Sequence, residues 1–275
     1  MQEVKFYRWA PALGDFENSP EKIWGVKPFD PASFEPCVFC GLYGLPDFYT
    51  LWRYRGKKYI WWTGSDIRHF INGYWLSESG DIKISVRSLA TWIKKNCESW
   101  VENEVEADTL RKYGIESHVC PSFLGDFSDF KVNFTPSEHP KVYASVSGDD
   151  FKLYGWDKIA KMAASNPDIE FHLYGNTVKP KIDFPQNVFV HGRVSKEQFN
   201  EEIKTMQGGL RLLPFDGCSE IIVKSILMGQ YPVSEIPYPF VLSPAEIGKI
   251  KEKKKPNLEG RQWFLENLNK YPWSK

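Results

Sequence analysis

The stretch VFVHGRVSKEQFNEEIKTMQGGLRLLPFDGCSEIIVKSILMGQYPV, residues 188–233, decides the fold. It reads as a strand, a Gly-Arg turn, a helix, a second strand, and a polar Asp-Gly-x-Ser loop that runs into another helix. Ser195 and Gln198 have the spacing of a capping box, and Phe199, Ile203 and Met206 give the first helix a stripe to bury. A loop joining the carboxyl end of a parallel strand to the amino end of a helix presents free backbone N–H groups and a favourable helix dipole. Anions, and nucleotide-type phosphates above all, are favoured there.

The same rhythm extends in both directions. Strands are expected over 4–9, 37–40, 58–62, 117–120, 141–146, 169–174, 209–213 and 231–233. LPDFYTLWRYRG reads as a helix stopped by Gly56 in the left-handed conformation, and ENEVEADTLRKYG as one with acids first, bases last and Gly114 as its stop. Leu153, Trp156, Ile159, Ala160 and Ala163 mark a further helix face. The period dissolves between Leu124 and Pro140, which places an inter-domain crossing there and predicts domains over 1–135 and 136–275. LEGRQWFLENLNKY is expected to form a last helix packing back on the N-terminal lobe. Strands alternating with helices throughout define an α/β protein with parallel sheets.

Composition narrows the function. The 275 residues carry 35 basic and 35 acidic side chains, so no global charge draws the chain to nucleic acid. Five irregularly spaced cysteines do not make a secreted disulfide framework, and Cys37-x-x-Cys40 lacks the second pair of a zinc site. No apolar run approaches a membrane span, and MQEVKFYRW lacks a signal-peptide core. A cytoplasmic setting is expected. The run KIKEKKKP, 249–256, is either a solvated face or a peripheral contact with anionic lipid. Scattered histidines and the adjacent Asp149 and Asp150 suggest no metal site. A lysine-bearing phosphate loop and a Gly-x-Ser-x-Gly elbow are both absent. Of eleven tryptophans, Trp62, Trp75 and Trp100 are candidates for stacking on sugars, although most indoles belong in a core.

Residues 141–233 resemble the donor-binding domain of the retaining glycosyltransferases with two Rossmann-like lobes (GT-B fold), the glycosyl transferases group 1 family. The resemblance rests on the strand and turn before Lys152, IEFHLYG, HGRVS with its helix, and the loop, helix and Gly-x-x-Pro-Val run from Asp216. FCGLYG, WWTGSD and VENEVEADTLRKYGI resemble the acceptor lobe more loosely. The resemblance implies two Rossmann-like lobes with a cleft between them. It also implies a metal-independent transferase that needs no cofactor and moves a sugar from a nucleoside diphosphate sugar to a carbohydrate, glycolipid or protein hydroxyl, with retention of configuration. Polysaccharide or glycolipid biosynthesis would be its setting. A sugar-nucleotide epimerase or hydrolase, or a noncatalytic nucleotide-sugar-binding relative, could share the fold.

Breaking a sugar–diphosphate bond builds negative charge on the leaving phosphate, which cations and N–H donors stabilise. The resemblance puts Lys152 beside the diphosphate, with Gly175, Arg193, Val194, Gly217, Cys218 and Ser219 around the donor. Ser147 stands where the family pattern has an arginine, leaving Arg193 or Arg211 as substitutes. Two glutamates eight positions apart are usual in the family; here they are Asp216, which can still accept hydroxyl hydrogen bonds, and Lys224, which cannot. Glu220 either takes over the ribose contact or pairs with Lys224 one turn on. Asp66, after a strand ending in Gly64-Ser65, either contacts an acceptor hydroxyl or the transferred sugar, or caps a helix. A histidine is common in that family loop; the nearest here is His69. Gly14, Gly64 and Ser65 are the acceptor-side candidates, and Glu102 and Glu104, beside Asn103 at a strand end, could face the cleft.

Overall fold

The computed structural model describes residues 3–14, 20–75 and 83–274, except for the side chain of Trp75. The chain groups into two compact units. The first is Met1–Gly125 with Phe215–Cys218 and Asn267–Lys275; the second is Asp126–Pro214 with Ser219–Glu266. The first break falls after Gly125, whereas the loss of periodicity suggested 135.

The first unit begins with β1 (Phe6–Trp9), α1 (Pro20–Trp24), β2 (Lys27–Pro28), β3 (Cys37–Cys40), α2 (Leu45–Arg53), β4 (Lys58–Trp61) and α3 (Ser65–Ile71). The short antiparallel strands β5 (Tyr74–Trp75) and β6 (Lys83–Ile84) follow. Next come α4 (Val86–Asn96), β7 (Cys97–Val101), α5 (Glu104–Arg111) and β8 (Ser117–Val119). Six strands form one parallel sheet in the order β2-β1-β3-β4-β7-β8. β3 is buried along its whole length, as a central parallel strand covered on both faces must be. Side chains three apart on a strand point to opposite faces, so Cys37 and Cys40 join different core clusters. All five cysteines are free thiols.

Much of the aromatic content sits in this unit's core. Trp24 meets Trp61 edge-on at 5.3 Å, and Tyr271 and Trp273 of the tail stack at 4.8 Å against the same cluster. Trp62 is fully buried and Trp100 stacks on His118. Burial closes Trp62 to a sugar, Trp100 is half-buried with His118 on one face, and the Trp75 side chain lies outside the described residues.

The second unit contains β9 (Lys141–Ser145), α6 (Trp156–Ser165), β10 (Glu170–Tyr174), β11 (Val188–Gly192), α7 (Lys196–Ile203), β12 (Gly208–Arg211), α8 (Glu220–Leu227), β13 (Val233–Ser234) and α9 (Leu258–Asn267). Its parallel sheet runs β11-β10-β9-β12-β13, the Rossmann order in which strand succession reverses between β9 and β12. α6, α7 and α8 supply Ile159, Ile203 and Ile222 to buried positions. α9 buries Phe264 and groups with this unit up to Glu266; only the tail after it belongs to the first unit.

Several local expectations need correction. Gly56 does not adopt positive φ; it is needed because a Cβ would collide with the carbonyls of Phe34 and Glu35. Gly114 does stop α5 at φ 80°. Leu153 precedes α6 and is exposed rather than part of its buried face. Ser195 caps α7 by accepting from Gln198 N–H at 3.1 Å, but the Gln198 side chain turns to Glu202, so the box is only half made. No helix among the described residues is long and apolar enough to cross a membrane.

Candidate functional site

The carboxyl ends of the second unit's strands are laced together. Val146 N–H donates to Tyr174 O at 3.0 Å, and Gly175 N–H donates to Gly192 O at 2.8 Å. Gly175 has φ 93°, and a Cβ there would overlap the Val146 carbonyl, so only glycine fits. After β9 the chain turns through Gly148 (φ 75°) and Asp149 (φ 59°). Asp149 accepts from Thr177 N–H at 2.6 Å and from the Thr177 hydroxyl, which ties the β9 loop to the β10 loop. Those bonds hold its carboxyl below the usual range, with the Arg193 charge adding in the same direction.

Lys152 is exposed on the tight turn between β9 and α6; its carbonyl accepts from Gly155 N–H at 3.1 Å. Gly155 is the N-cap of α6, so Lys152 stands ahead of the helix and not at its first residue. Arg193 is exposed and Val194 half-buried on the turn after β11. Arg211 is committed elsewhere, its guanidinium 4.6 Å from the Tyr154 ring centre. Beside Arg193 lies a hollow of about 770 Å³, bordered by Asn176, Thr177, Val178, Ile182, Val190 and Arg193 among others. Asn176 is buried, donates to Val178 O at 3.1 Å, and keeps its Oδ1 buried without a partner. Sequence reasoning missed Asn176; its position directly after the strand-end Gly175 was the available signal.

Asp216, Gly217 and Cys218 group with the first unit, apart from Lys152 and Arg193. There Asn103 Nδ2 donates to Asp216 O at 2.8 Å and Cys218 N–H donates to Glu102 Oε2 at 2.7 Å. A Cβ on Gly217 would overlap the Glu102 carboxylate, and one on Gly64 (φ 88°) would overlap Gly217 N. Ser122 Oγ donates to the other Glu102 oxygen. Glu106 Oε2 accepts Glu102 N–H at 2.8 Å, while Oε1 is buried without a partner. Burial pushes Glu102 up to about 8 and Glu106 well above its ordinary value, the neighbouring carboxylates opposing ionisation further. Glu104 points to solvent.

Asp66 is fully buried in the first turn of α3; Gly64 holds the N-cap position, so the capping alternative is displaced by two residues. Its oxygens accept from Leu42 N–H at 2.9 Å and Thr63 N–H at 3.0 Å. Burial raises it to about 6 against the lowering effect of those bonds. Ser65 Oγ shares a 2.9 Å hydrogen bond with the Tyr43 hydroxyl, and exposed His69 lies 5.6 Å from the Tyr43 ring. Gly14 has φ 69° and accepts from Trp9 Nε1 at 2.9 Å.

Ser219 is the N-cap of α8 without a side-chain cap bond. Lys224 is buried, 3.1 Å from the Glu220 carboxylate and 5.7 Å from the Phe199 ring centre, which fits the ion-pair alternative. In the basic run, Lys251 pairs with Asp168 at 3.0 Å and Lys253 lies over Tyr231. Among the described residues no group of three or more His, Cys, Asp or Glu is arranged to hold a metal ion.

The chain has the α/β fold of the GT-B glycosyltransferases, with two Rossmann-like units. It matches TarM of S. aureus with a TM-score of 0.56 and 14% identity, over 84% of this chain and 51% of that one. The sucrose-phosphate synthase of Thermosynechococcus elongatus gives 0.57 and 12%, over 85% and 69%. Anabaena HepE, solved with UDP and glucose, gives 0.55 and 9%, over 97% and 99%. The chain thus spans about half the length of TarM. No family model and no curated protein sequence matches it.

Proposed function

We propose that this chain is a glycosyltransferase that takes its sugar, a hexose, from a nucleoside diphosphate donor held by the second unit. The observation that carries this reading is the Rossmann-ordered sheet of that unit, whose strand ends border an open hollow with Arg193 on its rim, while Lys152 is exposed on the turn after β9. Lys152 and Arg193 neutralise the diphosphate. Charge building on the leaving phosphate is stabilised by these cations without a metal ion. The departing phosphate takes the acceptor proton as the hydroxyl attacks on the same face, so configuration is retained and no protein nucleophile is needed. HepE solved with UDP-glucose, and TarM solved with UDP, make a uridine donor the first to test.

Thermal-shift measurement with UDP, GDP, ADP and their glucose esters tests the reading. A bound ligand at 100 times its dissociation constant adds about 2.7 kcal/mol of stability. A rise in Tm with one nucleotide, lost in Arg193→Ala, is expected; no rise with any nucleotide would remove the reading.

A noncatalytic nucleotide-sugar binder is the second reading, favoured by Ser147 at the position of a family arginine and by the burial of Lys224. Donor binding without transfer to any acceptor would decide for it.

A further inference from the structure

The first unit has a second hollow, of about 550 Å³, built by the segment after β2 and the end of α2. Both segments lie where chain enters the strands: residues 29–35 lead into β3, and residues 53–55 lead into β4. The hollow is therefore at the amino-terminal edge of the sheet. Gly14, Asp66 and Glu102 follow β1, β4 and β7 at the opposite edge.

The walls are rigid. Ala32 N–H donates to Asp30 Oδ1 at 2.9 Å, Glu35 N–H to Ser33 Oγ at 3.1 Å, and the Tyr54 hydroxyl to Glu35 O at 2.5 Å. Gly56 lets the Phe34 and Glu35 carbonyls pass at a distance that no side chain would permit. Within this frame Phe34 is 67% exposed and Tyr49 50%, and Trp52, 5.8 Å from Tyr49, extends the aromatic surface at 52%. Single exposed apolar side chains are ordinary, but three large rings gathered on one face form a contiguous patch of the kind that marks an interaction site.

Charge selects the ligand. Arg53 lies 5.4 Å from the Tyr49 ring centre and donates to its hydroxyl at 3.3 Å; Arg55 lies 5.9 Å from the Phe34 ring. Neither arginine makes an ion pair among the described residues. No acid is among the residues lining the hollow; exposed Asp30 and Glu35 flank its wall, and burial together with their charges raises the Tyr54 hydroxyl above its ordinary value. Two guanidinium groups beside exposed aromatic rings, with the Ser33 and Thr50 hydroxyls at the wall, match a hydroxylated, anionic ring that offers an apolar C–H face. Its volume is that of a small-molecule site, and it is concave, whereas a bilayer is met by a protruding surface.

We propose that this hollow binds an acidic saccharide, a pyranose chain carrying carboxylates, at a site separate from donor binding. The rings stack on the sugar faces and Arg53 and Arg55 clamp the carboxylates.

Isothermal titration with trigalacturonate tests it, with maltotriose as the neutral comparison and phosphatidylglycerol vesicles as the lipid comparison. Trigalacturonate should bind at least tenfold more tightly than maltotriose, and added salt should weaken it. The Arg53→Gln/Arg55→Gln variant should lose at least tenfold, and Phe34→Ala/Tyr49→Ala at least fivefold, with Tm unchanged. Equal binding of maltotriose, or trigalacturonate affinity untouched by both variants, overturns the proposal. So does vesicle binding that the variants abolish when trigalacturonate does not bind. Nucleotide shifts in Tm should be the same in both variants as in the parent chain. Failure here therefore leaves the donor-binding reading standing, and failure of that reading leaves this titration interpretable.

Discussion

The two parallel sheets use the carboxyl ends of their strands in opposite ways. In the first unit these ends carry acids turned inward: Asp66, Glu102 and Glu106 are buried, and each receives backbone N–H groups. In the second they carry cations turned outward, Lys152 and Arg193, with the laced backbone beneath them. A buried carboxylate engaged by the backbone holds loops in place; an exposed cation on a rigid turn keeps its charge available to a ligand. The contrast predicts that substitutions of the exposed cations at the second unit's strand ends act on chemistry and that substitutions around the buried acids at the first unit's strand ends act on stability.

The largest effect should come from Lys152→Ala. If Lys152 stabilises the departing diphosphate, turnover should fall about 10²- to 10³-fold, the loss of roughly 2.7–4 kcal/mol seen when one oxyanion partner is removed. Because the side chain is exposed, Tm should stay within about 1 °C. Steady-state kinetics beside a melting curve measures both. Full activity would erase the functional half of the contrast.

Gly217→Ala sharpens the structural half. Its Cβ would overlap the Glu102 carboxylate and approach Thr63 O at 3.2 Å, backbone that cannot move freely. A cost of about 2–3 kcal/mol is expected, as for overpacking in a rigid core. At about 2–4 °C per kcal/mol, calorimetry should show a clear fall in Tm. A change of less than 1 °C would mean that the loop is not seated on Glu102.

The pH dependence of stability follows from the same acids. Glu102 titrates near 8 in the fold against an ordinary 4.5. Between those values the folded chain holds a proton that the unfolded chain has released, so raising the pH lowers stability across this window and has no such effect below it. Glu106, raised well above its ordinary value by burial and by Glu102, acts in the same direction, and so does Asp66, raised to about 6, over a narrower range. Glu102→Gln should make the decline in Tm from about pH 5 to 8 shallower, with the difference vanishing near pH 4, and Glu106 and Asp66 should sustain the remainder. A parallel decline in both proteins would show that Glu102 is already ionised in the fold.

The parts of this organisation that were legible in the sequence are those set by local pattern. CVFC between turn signals specifies β3 residue for residue, and Gly114 at the end of an acid-first, base-last helix specifies its stop, which the fold takes at φ 80°. Gly56 looks from the sequence like a helix stop, but its constraint comes from the carbonyls of residues 34 and 35 and not from its own helix. Asp216 to Cys218 were read with the strand and helix that flank them. Their grouping with Glu102 and Asn103 depends on hydrogen bonds across more than 110 positions, which no periodicity encodes. Glu106 was invisible for a related reason: an acid in the first turn of a helix is ordinarily explained by the dipole, and only packing reveals its burial.

The smallest expected effect separates the two units most finely, at Glu220. The family resemblance allows it to bind ribose, whereas its carboxylate lies 3.1 Å from Lys224 Nζ, on a lysine side chain only 7% exposed. An exposed helical pair of this spacing contributes about 0.3–0.5 kcal/mol. With the ammonium buried against Phe130 and Phe199, the loss in Glu220→Ala should be somewhat larger, about 1 kcal/mol. Nucleotide affinity should then stay within twofold of the parent protein in the same titration, because the carboxylate is already committed to a buried charge. A tenfold loss of affinity would show instead that nucleotide draws Glu220 away from Lys224, adding an acid to the cations proposed to hold the donor.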